Sequence, residues 1–412
     1  MAQQFMQKGY KILDVNEKAD IYVINTCTVT NMSDRKSRQV LRRAKEHNPQ
    51  ALIVVCGCYA QVAKKELEKI EEIDLILGIN EKNNIVEHIE KYMEKKLEKD
   101  YITDVMRQSE FVEFGTVTYT DKSRAVIKVQ DGCDRFCSYC IIPYARGRIR
   151  SRKIENVLKE VKSISEKGIK EVVITGIHVT SYGRDLKENV SLINLLEEIN
   201  KIDKIERIRL SSLEPTIITE EFINRLIKLE KICDHFHLSL QSGCDETLKR
   251  MNRKYTTEDF RKCVNLIRKA YPKVSLTTDI IVGFPGETEE EFETTYKFLK
   301  EINFYKMHIF KYSKRDGTKA ANMPNQIDGN IKDERSKKLI DLSNDNEKNK
   351  NKQYIGKKVE VLFEQEEKGF IKGHTKNYML VRVENKEKQI MMNEIKDVVI
   401  TDVDGLGLIG KM

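Results

Sequence analysis

Apolar and polar positions along the chain fall into three successive regimes. In the first, short apolar runs alternate with amphipathic stretches. Ala2, Phe5 and Met6 share one helical stripe that Gly9 ends. Ile21 to Asn25 reads as a buried strand, Met32 to Glu46 as a basic helix and Ala51 to Val55 as a second strand. Helix Gln61 to Ile70, strand Asp74 to Leu77 and helix Asn83 to Tyr92 complete a doubly wound α/β domain over residues 1–95. Such a sheet opens on a strand, whereas this one opens on a helix. The expectation is therefore an opening strand upstream of Met1 that this chain lacks.

Residues 96–120 lose the periodicity and read as a linker. In the second regime, residues 121–352, six apolar strand candidates recur: Ala125 to Val129, Glu171 to Thr175, Arg207 to Leu210, His235 to Leu240, Ser275 to Val282, and Lys306 to Phe310. Each of the first five is followed by an amphipathic stretch. The last of these begins with a capping box at Thr288 and Glu291 and carries Phe292, Tyr296, Leu299 and Ile302 on its apolar stripe. Six β/α units predict an incomplete parallel barrel whose chemistry gathers on the loops after the strands. A polar helix, Ile331 to Tyr354, leads into the third regime, residues 353–412. There KVEVLFEQ, GFIKGHT, YMLVRVE and KDVVITDV alternate with period two and predict a small β-barrel. The fold class is thus α/β with a closing all-β domain.

Composition adds compartment and partners. No apolar run approaches the roughly 18 residues of a membrane span, and no signal-peptide pattern opens the chain, so a cytoplasmic protein without a membrane partner is expected. Nine cysteines over 412 residues suit metal ligation better than a disulfide framework. The net charge of +8 is compatible with a polyanionic partner, and its distribution matters more than its size.

The chemistry concentrates at Val129 to Arg152, where Cys133, Cys137 and Cys140 stand in C-x3-C-x2-C spacing directly after the first barrel strand. A closed zinc site wants four ligands, usually as two separated pairs. An iron-sulfur cubane held by three thiolates instead leaves one iron open to a small molecule. A zinc knuckle or a group of structural thiols are the alternatives. Arg146, Arg148, Arg150 and Arg152 follow at every second residue, which in an extended chain would put all four on one side. Contact with RNA is one use for them; binding a carboxylate or forming an ion pair is another. Arg35, Lys36, Arg38, Arg42, Arg43 and Lys45 make the first long helix basic, as a soluble face or a contact for RNA.

The cysteine loop resembles the signature of the radical S-adenosylmethionine (SAM) superfamily, and the order of domains resembles the methylthiotransferases within it. The resemblance spans the whole chain. QDGCDRFCSYCIIPYARGRIRSR at Gln130 to Arg152 and TGIHVTSYG at Thr175 to Gly183 look like the branch acting on tRNA threonylcarbamoyladenosine. So do SSLEP, LSLQSG, DIIVGFPGET and FKYSKRDGT, each at or just after a strand end. The resemblance implies a SAM-binding 4Fe-4S cluster on Cys133, Cys137 and Cys140, and a second, auxiliary 4Fe-4S cluster with Cys27 and Cys58 among its ligands. The third auxiliary ligand would lie upstream of Met1, and Cys56, two residues from Cys58, is expected to pack. It implies a radical generated from one SAM, methylation of a sulfur by another, and methylthio transfer to carbon 2 of the adenine. An aromatic C–H has no usable acidity, so a cofactor radical replaces acid-base chemistry.

By the same resemblance, Gly283, Gly286 and Glu287 would present backbone to the SAM adenine, and Ser239, Gln241 and Glu214 would contact its ribose or methionine end; hydrogen bonding in the barrel core is the alternative for these. The closing domain resembles TRAM, an OB-like module, and offers His374, Lys376, Tyr378 and Arg382 for backbone charge and base stacking. Implied partners are tRNA and an electron donor such as flavodoxin or ferredoxin, for a monomeric enzyme. Competing readings are the branch modifying an aspartate of a ribosomal protein, and a non-catalytic RNA-binding relic.

Overall fold

The structure, a computed structural model, describes residues 1–28, 31–95, 98–113, 123–188, 190–385 and 390–412, with residues 31–33 in backbone only. Much of the expected linker, 96–97 and 114–120, lies outside the described residues. The chain forms two compact units: residues 1–119 with 131–150 and 313–322, and residues 120–130 with 151–312 and 323–412. Sequence reasoning drew its boundaries elsewhere. By contacts, the cysteine loop and the Ser313–Asn322 segment belong to the N-terminal unit, whereas the parallel barrel and the closing β-domain form one body.

The first unit is built on four parallel strands in chain order, β1 (Ile21–Thr26), β2 (Leu52–Gly57), β3 (Leu75–Leu77) and β4 (Asp100–Tyr101). Strand β4 falls inside the stretch expected to be a linker; at two residues it is too short to show a period. Both sheet faces are covered, as near-continuous apolar strands require. Leu41 and Ala44 of helix Asn31–His47 pack with Ile53, Val55 and Ile76 on one face, and Phe5, Ile85 and Ile89 pack with Val54, Cys56 and Leu77 on the other. Strand β2 ends at Gly57, whose φ of +106° turns the chain so closely that a Cβ there would lie 2.4 Å from the Thr26 carbonyl.

In the second unit, β5 (Arg124–Asp131), flanked at one edge by the two-residue β6 (Arg150–Ser151), runs parallel to β7 (Glu171–Gly176) and β8 (Arg207–Leu210). A second parallel sheet holds β9 (His235–His237), β10 (Ser275–Val282) and β11 (Lys306–Lys311). Bridges Ile208 to Ile232 and Leu213 to Leu238 knit the two sheets into the expected six-unit partial barrel. Its core runs from Ile127 and Val129 through Leu196, Leu210 and Leu238 to Ile280, Leu299 and Phe304. Helix Gly329–Lys352 leads to a closed barrel of β12 (Lys358–Glu367), β13 (Phe370–Thr375), β14 (Leu380–Glu384), β15 (Ile395–Asp404) and β16 (Gly407–Lys411). Sequence alternation found four of these. It missed β16, in which Gly407 and Gly410 interrupt the period-two pattern.

Buried charge joins the two barrels of this unit. Glu171 is fully buried and takes two hydrogen bonds from Arg209, at 2.7 and 3.2 Å, with Arg207 and Arg124 within 4.0 Å. Arg209 also donates to the Lys376 carbonyl, and Arg207 to the His374 carbonyl and the Glu360 carboxylate. Replacing Glu171 by Gln leaves buried guanidinium charge uncompensated and is expected to cost about 3–5 kcal/mol; an unchanged chemical denaturation profile would refute this. His235 is buried beside Arg209, and burial first and that charge second hold its pKa well below the usual value. It is therefore neutral in the fold, while the unfolded chain takes up a proton near pH 6.5. Below that pH the unfolded state binds more protons, so stability falls as pH drops. The thermal transition is expected to move down between about pH 7.5 and about pH 5.5, and His235→Asn to flatten that dependence.

Candidate iron-sulfur and SAM site

Within the first unit the cysteine loop is held by a backbone crossing. Gly132 has φ +73°, and a Cβ there would fall 1.7 Å from the Arg148 carbonyl oxygen, so only glycine lets the strands of the loop pass. Cys133 N donates to the Gly147 carbonyl at 3.0 Å and Cys140 N to the Cys137 carbonyl at 2.9 Å. Phe136, between the first two cysteines, takes a left-handed φ of +46° and lies under the Arg148 guanidinium at 5.0 Å. A non-glycine residue in that region is strained unless its surroundings fix it. The three thiols are outside any disulfide and half-buried, and Arg135 N lies 3.5 Å from Cys133 Sγ as a donor.

These features fit a 4Fe-4S cluster. Three accessible thiols on one rigid turn, with an amide aimed at sulfur, suit cluster sulfur chemistry. Among the described residues no three His, Cys, Asp or Glu side chains converge on a single-ion position. A cubane does not need that convergence, since each iron takes its own thiolate.

Cys58 and Cys27 occupy the ends of neighbouring strands in the same unit, the first buried and the second exposed. Arg146 Nε donates to Cys58 Sγ at 3.1 Å and its Nη1 lies 3.5 Å from Asp131. Burial opposes the Arg146 charge, but Cys58 and Asp131 outweigh it and raise its pKa. The Arg146 guanidinium thus sits directly against the Cys58 sulfur. Cys56 points elsewhere: it is fully buried with Val54, Leu75 and Leu77, and burial raises its pKa. It packs, as expected, because β2 ends at Gly57 and Cys58 opens a short helix, Cys58–Val62.

The expected one-sided row of arginines does not form. Arg146 ends helix Ile142–Arg146, Arg150 is 1% exposed and lies 3.5 Å from Asp131, and Arg152, 6% exposed, pairs with Glu160. Arg148 alone of the four is well exposed, 3.3 Å from Asp134. The period-two argument assumed an extended chain, which the helix and Gly147 interrupt.

In the second unit the strand-end motifs meet through side chains that sequence reasoning passed over. Glu214, 3% exposed, receives His178 Nε2 at 3.1 Å and the Thr216 hydroxyl, with Arg253 at 3.8 Å. His178 N donates to Gln130 at the end of β5. Arg253 and Tyr255 both donate to the Ser239 carbonyl, and Gln241 takes φ +74° and bridges to Ile280. Glu214, Ser239 and Gln241 are thus brought to one end of the strands. The signal for Arg253 and Tyr255 was the RKY of MNRKYT, unread because it follows no strand. In the turn after β10, Glu287 is committed to structure: it accepts from Gly283 N at 2.6 Å and from Arg335 at 2.7 Å, while burial raises its pKa. Its carboxylate is thus used within the turn, which leaves the expectation that the turn presents backbone to SAM as it stood. Gly283 packs against Lys332, and Gly286 N donates to the Asn325 carbonyl.

Of the TRAM-like residues, Tyr378 and His374 are engaged by rings of their own unit, whereas Lys376 and Arg382 make their bonds at the surface. Tyr378 is stacked between His235 and His374, at 4.7 and 4.6 Å, with the Arg209 guanidinium 4.6 Å from its ring centre. With both faces covered it cannot stack on a base. His374 bonds Glu364, Lys376 donates to the Glu230 carbonyl and Arg382 pairs with Asp404. Arg35, Lys36, Arg42 and Arg43 on helix Asn31–His47 remain exposed and make no ion pair among the described residues.

Gly132→Ala is expected to displace the Arg148 strand and cost the SAM-type cluster, halving iron in anaerobically reconstituted protein to about one cubane per chain if both form. Iron and sulfide at the unmodified level would refute the constraint.

The profile of the Radical SAM superfamily matches residues 127–299, and that of the Uncharacterized protein family UPF0004 matches residues 1–78. Threonylcarbamoyladenosine tRNA methylthiotransferase MtaB of Bacillus subtilis (strain 168) is 43% identical over 394 residues, 94% of this chain and 87% of its own length. The protein of that name from Aquifex aeolicus is 42% identical, covering 93% and 92%. The tRNA-2-methylthio-N(6)-dimethylallyladenosine synthase of Clostridium novyi is 37% identical, covering 98% and 90%. In fold, the chain resembles the radical S-adenosylmethionine methyltransferase TsrM of Kitasatospora setae at TM-score 0.56 and 16% identity, over 74% of this chain and 66% of that one. Three thiols on a glycine-crossed turn after the first strand of a six-unit barrel and relatives of this identity along nearly the whole chain agree: the chain belongs to the radical SAM tRNA methylthiotransferase family.

Proposed function

We propose that this protein installs a methylthio group on carbon 2 of N6-threonylcarbamoyladenosine in tRNA. The observation that carries the reading is the joining of the two cysteine sets within one unit: Arg146, six residues past Cys140, donates to Cys58 Sγ at 3.1 Å. When bound, a SAM-ligated cluster supplies the radical that an aromatic C–H demands. The chain's own residues hold the thiols apart on their turn, set a cation against the Cys58 sulfur, and order the strand ends through Glu214, His178 and Arg253. The relatives named for threonylcarbamoyladenosine are more similar than the dimethylallyladenosine relative, which favours the former substrate. The relatives reported above are named for tRNA and not for a ribosomal protein, and the intact cysteine turn weighs against a relic.

The tRNA contact is assigned to exposed cations, first those of helix Asn31–His47, instead of the inward-facing Tyr378 group. The reductant is inferred to be a flavodoxin or ferredoxin, the working form a monomer and the compartment the cytoplasm. Among the described residues no helix is long and apolar enough to cross a membrane.

Nucleosides from a strain lacking this gene are expected to contain threonylcarbamoyladenosine without its 2-methylthio derivative, restored by the wild-type gene and not by Cys133→Ala. Mass spectrometry showing the derivative in the deletion strain, or none on complementation, would overturn the assignment. Binding of tRNA should weaken steeply with salt, and Arg42→Ala with Arg43→Ala should lower the slope of log affinity against log salt by roughly 1–2. A flat response in filter binding would remove the assigned surface.

A further inference from the structure

In the first unit lies a cavity of about 490 Å³, walled by Asp34, Arg38, Tyr59, Tyr144, Arg315 and the exposed Glu66, which takes the Tyr59 hydroxyl at 3.0 Å, among others. Its wall carries sequence neighbours of both cysteine sets. Tyr59 follows Cys58, Ile141 in the same wall follows Cys140, and Arg315 donates to Thr28, the residue after Cys27. Two groups in the wall are incompletely matched. Asp34 is 7% exposed, and its Oδ2 takes Arg315 Nη1 at 2.7 Å while its Oδ1 has no hydrogen-bond partner. Arg38 is half-buried, makes no ion pair among the described residues, and spends Nη1 on the Tyr59 phenol at 2.6 Å. A buried carboxylate oxygen without a donor is costly, and a guanidinium fork is shaped for a carboxylate. The wall therefore asks for a ligand with a carboxylate at one point and N–H or O–H donors at another, and Val62 and Ala63 add a small apolar surface.

We propose that this cavity receives the N6 side chain of the target adenosine, with Arg38 binding the threonine carboxylate and Asp34 Oδ1 accepting a hydrogen bond from the ureido N–H or the hydroxyl. The assignment rests on the substrate reading above and makes Arg38 the residue that sets specificity. An apolar N6 substituent would leave Asp34 Oδ1 and the rest of the Arg38 fork unmatched, which is how a polar site rejects an isostere without partners.

The test uses anticodon stem-loop RNAs bearing threonylcarbamoyladenosine, its carboxamide analogue, or dimethylallyladenosine. Methylthiolation by reconstituted enzyme is followed by mass spectrometry, and competition binding is measured on the same protein. Wild type is expected to favour the carboxylate over the carboxamide by about 10–100-fold, the scale of one charge-assisted hydrogen-bond pair. Arg38→Gln should bring that ratio close to one, and Arg38→Lys should restore part of it. A wild-type ratio of one, or a ratio that Arg38→Gln leaves unchanged, overturns the proposal while the substrate reading stands. Failure of wild type to modify threonylcarbamoyladenosine at all, with dimethylallyladenosine modified instead, overturns both.

Discussion

The rest of the site depends on one close approach, the passage of the Arg148 carbonyl through the space where a side chain on residue 132 would begin. That crossing ties the start of the cysteine turn to its end. It fixes Cys133 by its bond to Gly147 and sends Arg146 back toward Cys58. One steric constraint thereby sets the spacing of three thiols and the electrostatics of a fourth. A hydrogen-bond network could be traded for others of similar energy, but a contact of 1.7 Å has no substitute, so the residue at this point must lack a Cβ.

Guanidinium groups do most of the internal electrostatic work. Arg150 and Arg146 neutralise Asp131, Arg152 pairs with Glu160, Arg209 saturates Glu171, Arg335 holds Glu287 and Arg315 meets Asp34. Arg209, Arg335 and Arg315 add further hydrogen bonds that offset desolvation. The modest positive net charge of the chain is therefore a poor guide to its nucleic-acid surface, because a good part of its arginine is spent inside. Arg35, Arg42 and Arg43, exposed and without an ion pair among the described residues, remain for a polyanion.

The six parallel strands and the cysteine turn were legible because their signals are local: apolar runs of strand length between amphipathic stretches, and thiols at fixed spacing. Strand β16 was not, since two glycines erase the alternation, and β4 was not, since two residues have no period. Side-chain direction was harder still. Tyr378 and His374 have the composition of a base-stacking surface, and only the fold reveals that the partners they stack on are each other and His235, more than a hundred residues away. The Glu287 carboxylate likewise closes its own turn, a use that the motif does not announce. Arg38 and Asp34 could not be singled out within a basic helix, because their significance lies in which neighbours they lack.

The clamp on Tyr378 has a consequence for how such proteins can diversify. A small β-barrel at the end of a chain looks like a cassette that recombination could exchange freely. Here the seam runs through a stack of rings and through Arg207 and Arg209, whose donors end on carbonyls of the β-barrel. A chimera cut at residue 353 would part aromatic from histidine and strand guanidinium groups in the core. Exchange of this domain must therefore carry β8 and β9 with it, so the two barrels are inherited as a pair.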